Sequence, residues 1–126
     1  MDKDLLQRGL DTRKAVLGKE YVEKAMQSAD DDPGPGKEYA DGYDRGDICA
    51  GEALPRKTRS MLNLAMLTAL NKPHELKLHI GGALTNGVTR AEIQEIFMQA
   101  AVYCGVPAGV EAFKIAREVF TELDKK

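Results

Sequence analysis

The sequence predicts an all-α domain of six or seven helices, and three observations carry that reading. Apolar residues recur at three- and four-residue spacing along most of the chain, as one buried helix face requires. No stretch alternates long enough to make a strand, and β-branched residues are scattered. Gly18, Asn71-Lys72-Pro73, Asn86-Gly87 and Gly105-Val106-Pro107 fall between the periodic blocks. The 126 residues suit one domain, 1–126.

Leu5, Leu6, Leu10, Val16 and Leu17 mark a first amphipathic helix, ended by Gly18. Tyr21, Val22, Ala25, Met26 and Ala29 mark a short second one. Asp30 to Glu38 reads DDDPGPGKE; its acids and Pro-Gly pairs cannot hold a helix, so it is a loop. A third helix is expected over about 38–48, thin in apolar residues, followed by a connection at Cys49–Ala53. Pro55 suits the first turn of a helix running to Leu70. That helix is apolar nearly all round, which predicts a central, buried position.

Asn71-Lys72-Pro73 breaks it, and Pro73 starts the next helix. Asn86-Gly87 suits a left-handed C-terminal cap. Thr89 and Glu92 form a capping box, and Ile93, Ile96, Phe97, Ala100, Ala101 and Cys104 give the following helix its core stripe. Gly105-Val106-Pro107 separates it from a last helix, about Ala108 to Leu123.

Composition narrows the function. A net charge of −2 carries no polybasic signature for nucleic acid or anionic lipid. The longest strongly apolar run, Met61 to Leu70, is half of what a bilayer span needs. No secretory signal opens the sequence, so a cytoplasmic protein with reduced thiols is expected. The two cysteines, Cys49 and Cys104, form neither C-x-x-C nor a zinc pattern, and Cys104 reads as a buried structural residue. The wide apolar faces exceed what so small a monomer covers and favour a homo-oligomer.

The residues best suited to chemistry lie on the helix that starts at Pro73. Glu75 and His79 stand one turn apart, and Glu75, His79, Gly82 and Asn86 fall within about 80° on a helical wheel. Leu76, Ile80, Ala83 and Gly87 lie beside them and should face the core. Gly81-Gly82 costs about 1.5–2 kcal/mol of helix propensity, which suggests close packing or room for a ligand. Histidine exchanges protons near neutral pH, and a helix contact holding a satisfied histidine is the competing reading. His74 points elsewhere and caps the helix or meets solvent, and its five-residue spacing from His79 fits a metal site poorly. Arg59 and Asn63 share a face of the preceding helix, where the arginine is either an anchor to a carboxylate or an anion site. Lys57 reads as solvated, and Arg45 and Asp47, alone, as surface charges.

The strings LPRKTRS (Leu54–Ser60), HELKLH (His74–His79), TNGVTRAEI (Thr85–Ile93) and VYCGVPA (Val102–Ala108) together resemble the carboxymuconolactone decarboxylases. The resemblance runs from Gly9 to Phe120. It implies a helical fold of the alkylhydroperoxidase D-like type, a ring-like hexamer, and sites near subunit contacts. Relatives that reduce peroxides carry C-x-x-C four residues before a histidine. Aligning that histidine on His79 puts Lys72 and Glu75 at the cysteines, so thiol-based peroxide reduction has no chemical basis here.

The resemblance implies decarboxylation of 4-carboxymuconolactone to 3-oxoadipate enol-lactone, in protocatechuate breakdown, without metal or organic cofactor. His79 would donate the proton, Glu75 would orient it, Arg59 and more weakly Arg45 would hold a carboxylate, and Asn86 would add a neutral hydrogen bond. One departure bears on the substrate. The family commonly has tryptophans in a W-G-x-x-W pattern near the position of Gly46, whereas this chain has none at all. That implies a smaller-walled, more polar pocket. A lyase or isomerase acting on another activated acid or lactone, or a non-catalytic small-acid binder, are the alternatives.

Overall fold

The computed structural model describes residues 3–28 and 51–126. The loop at 30–38, the helix expected at 38–48, Arg45, Asp47 and Cys49 lie outside the described residues. Six helices and no strand occur among the described residues: α1 (Lys3–Leu17), α2 (Lys19–Ser28), α3 (Arg56–Ala69), α4 (Pro73–Thr85), α5 (Arg90–Cys104) and α6 (Val106–Asp124). The chain divides into two compact units, Met1–Arg56 and Lys57–Lys126. None of these helices is long and apolar enough to cross a membrane.

In the first unit α1 packs against α2, and one residue joins them. That residue is Gly18, whose φ of +97° lies in the left-handed region that glycine tolerates. Its N–H still donates to the Lys14 carbonyl at 2.9 Å, closing the end of α1.

In the second unit, connections of three and four residues fold the chain back between α3, α4 and α5. Both turns are made the same way. At the end of α3 the Lys72 N–H donates to the Leu67 carbonyl (3.0 Å) and the Asn71 N–H to Thr68 (3.3 Å), with Asn71 at φ +56°. At the end of α4 the Val88 N–H donates to Ala83 (2.9 Å) and the Gly87 N–H to Leu84 (3.1 Å), with Gly87 at φ +92°. Each is a Schellman motif, in which a left-handed residue lets two orphan carbonyls find donors. Thr89 then opens α5. Its hydroxyl accepts from the Glu92 N–H (3.0 Å), while the Glu92 carboxylate accepts from the Thr89 N–H (2.9 Å).

α6 packs against both α4 and α5. The core joins Leu64 of α3, Leu76, Ile80 and Ala83 of α4, Ile93 and Phe97 of α5, and Ala112, Ile115, Ala116 and Val119 of α6, with Val88 from the turn. Burying a side chain such as Leu76 or Ile80 stabilises by roughly 1.5–3 kcal/mol. Phe97 meets Phe113 edge to face, with centroids 5.9 Å apart at 85°. At the far end Arg90 makes a two-pronged ion pair with Asp124 (2.7 and 3.1 Å) while lying 4.7 Å over the Phe120 ring.

Two expectations need correction. α3 is not buried all round. Ser60, Leu64 and Thr68 form its buried stripe, while Leu62, Met66 and Leu70 form an exposed one, Leu70 at 65%. A polar hydroxyl is tolerated in the buried stripe because Thr68 donates to the Leu64 carbonyl at 2.7 Å. Cys104 is exposed, not buried. It closes the last turn of α5, where Val102 (80%) and Tyr103 (81%) are also exposed.

Candidate active site

α4 carries most of the predicted site. Leu76, Ile80 and Ala83 are buried, as the wheel requires, and this fixes the neighbouring stripe along the edge of the core; Gly87, expected beside them, lies past the helix end and is exposed. Along that stripe Glu75 is exposed, His79 half-buried, Gly82 buried and Asn86 half-buried. A Cβ built on Gly81 would meet nothing within 4 Å. Gly81 faces away from the stripe, about 160° round the helix from His79, and close packing does not require it. His74 is exposed.

α3 brings the second part. Asn86 Nδ2 donates to Ser60 Oγ at 2.9 Å, joining the end of α4 to the first turns of α3. The two helices therefore run antiparallel, and Arg59, adjacent to Ser60 and half-buried, stands level with the C-terminal end of α4. His79 lies seven residues before Asn86, about 10 Å along the axis. The structure thus joins Asn86 to Ser60 at one end of the stripe, with His79 further along it and Glu75 another turn away.

Lys57 is not simply solvated: its Nζ lies 3.1 Å from Glu92 Oε2, which ties the start of α3 to the start of α5. Sequence reasoning also passed over Ser60. Its one signal was position, a polar residue at the head of the buried Ser60–Leu64–Thr68 spacing.

Residues 37–118 match the model of the carboxymuconolactone decarboxylase family. The chain belongs to that family. Its all-α architecture is accordingly of the alkylhydroperoxidase D-like type. The sequence is 37% identical over its whole length to the nitrosuccinic acid decarboxylase npaB of Metarhizium robertsii, covering 88% of that protein. It is 32% identical, over 97% of its length, to the 4-carboxymuconolactone decarboxylase of Acinetobacter baylyi, covering 91% of that protein. Both relatives are named decarboxylases.

Proposed function

We propose that this family member decarboxylates a small dianionic acid without a cofactor, 4-carboxymuconolactone being the first candidate substrate and nitrosuccinate the second. The observation that carries the reading is the stripe itself: the Asn86 carboxamide at one end of α4, bonded to Ser60 next to Arg59 in sequence, and His79 about 10 Å along it.

The chemistry of the two acids is alike where it matters. In 4-carboxymuconolactone the leaving carboxylate sits on a ring carbon conjugated through C=C to the lactone carbonyl. In nitrosuccinate it sits on the carbon that bears the nitro group. When the C–C bond breaks, its electron pair flows onto carbonyl oxygen in the first and onto nitro oxygens in the second. The substrate is its own electron sink, so the protein supplies only charge, position and a proton.

Arg59 holds the carboxylate that stays. His79 gives its proton to carbon after CO₂ leaves and is reprotonated from water. Glu75 orients the imidazole, and Asn86 offers a neutral hydrogen bond to the bound acid. Nitrosuccinate is kept as the second candidate because the named relative matches the chain end to end and because the chain lacks tryptophan. A smaller-walled pocket suits an acyclic acid.

We also propose self-association, to a hexamer, supported by the exposed Leu62 and Met66 of α3, Leu70 just past its end, and Val102 and Tyr103 of α5. Apolar surface exposed in such continuity is characteristic of interfaces. Incubating the purified protein with each acid, and following CO₂ release with the absorbance of the product, tests the catalytic reading. Turnover of neither acid would sink it.

A further inference from the structure

We infer that Ser60 is a positioning residue: its hydroxyl holds the Asn86 carboxamide in the orientation that receives the acid. The inference rests on reading the α4 stripe as the acid-binding site. Ser60 is only 4% exposed, and in the buried stripe of α3 it takes a position where an apolar side chain would pack without any polar requirement. Its hydroxyl instead accepts from Asn86 Nδ2 at 2.9 Å, across 26 residues of chain.

That bond leaves Asn86 with one Nδ2 hydrogen and its Oδ1. Among the described residues neither has a further partner. A carboxamide swings about its last torsion, whose wells are broad, so one bond at one nitrogen decides where the remaining donor points. The backbone at Asn86 is already held by the Schellman turn, through the bonds of Gly87 and Val88. Ser60 therefore adds a side-chain tie to a residue whose main chain the turn already holds.

If Ser60 acts through Asn86, its loss matters only while Asn86 is present. The test is a double-mutant cycle read by calorimetric binding of succinate, a dicarboxylate with no group to lose. Ser60→Ala and Asn86→Ala should each weaken succinate binding about 3–10-fold, the worth of one neutral hydrogen bond. The double variant should bind no worse than Asn86→Ala alone. Ser60→Cys, which keeps the volume but accepts weakly, should fall between wild type and Ser60→Ala, and it replaces that variant if Ser60→Ala does not fold.

Additive losses in the double variant, wild-type binding by Ser60→Ala or Ser60→Cys, or no succinate binding by the wild type would each overturn the inference. The decarboxylase reading fails separately. A wild type that turns over neither acid, yet shows the non-additive cycle, keeps the Ser60 role and loses the proposed reaction. Turnover with an additive cycle does the reverse.

Discussion

Gly109 of α6 lies against Ala101 of α5 so closely that a Cβ on Gly109 would stand 2.6 Å from the Ala101 Cβ and 3.2 Å from its Cα. The neighbour is backbone and a methyl group, neither of which can swing aside. Gly109→Ala should therefore destabilise the protein by about 1–3 kcal/mol through overpacking, although alanine is the better helix former. Gly81→Ala is the internal control. With nothing within 4 Å of its Cβ position, it should stabilise by about 1 kcal/mol. Urea unfolding of both variants decides the matter, and equal effects would remove the packing argument.

The helix ends were readable in the sequence because their causes are local. Gly18, Asn86-Gly87 and the Thr89–Glu92 pair act within six residues, and each does in the structure what its residue types prescribe. The faces of α4 were readable for a similar reason, since one stripe is strongly apolar. What covers a face is not local. Periodicity made α3 and Cys104 look buried, because an apolar side chain reads the same whether it meets the unit's own core or lies on its surface. The Ser60–Asn86 and Lys57–Glu92 contacts join distant helices and left no pattern in the sequence.

Acid should loosen the ends of α5 and α6 first. Hydrogen bonds from the Thr89 backbone and from Lys57 hold the Glu92 carboxyl below its ordinary range, and the Arg90 guanidinium does the same for Asp124. A carboxylate with a depressed folded-state pKa adds stability above its unfolded value and loses it as pH falls through the folded one. Melting temperature should thus drop between about pH 5 and about pH 3. Glu92→Gln should melt lower than wild type at neutral pH and lose less on acidification. Parallel pH profiles for the two proteins would argue against this source of acid sensitivity.

The cysteines should be dispensable. Cys104 is exposed at a helix end, and the proposed reaction has no electron for a thiol to give or take. A Cys49→Ser, Cys104→Ser variant should keep the wild-type kcat on whichever acid is turned over. Loss of kcat in a variant with unchanged circular dichroism would bring thiol chemistry back.

Association should depend on the exposed stripe of α3. Leu62 and Met66 are one turn apart and roughly half-exposed in the single chain. A lysine at Met66 would have to be desolvated in any contact made there. Met66→Lys should therefore shift the mass seen by light scattering toward the monomer without changing the helical content. A wild type that is monomeric at micromolar concentration would end the proposal of self-association.

The sharpest prediction separates the two ends of the α4 stripe. Protonation of carbon follows loss of CO₂, so removing its donor affects the chemical step and not the hold on the acid. General acid catalysis typically contributes about 10²–10⁴-fold, so His79→Ala should lower kcat by that factor with KM little changed. Arg59 acts on the carboxylate that remains, which carries the same charge before and after CO₂ leaves. Binding that is uniform in ground and transition states appears in KM rather than kcat. Arg59→Ala should accordingly raise KM and leave kcat near the wild-type value. Arg59→Lys should recover only part of the loss, because an ammonium cannot reproduce the two parallel bonds of a guanidinium. If His79→Ala retained full kcat, the proton would have to come from elsewhere. If Arg59→Ala lowered kcat and spared KM, the arginine would be acting on the oxyanion rather than on the retained carboxylate.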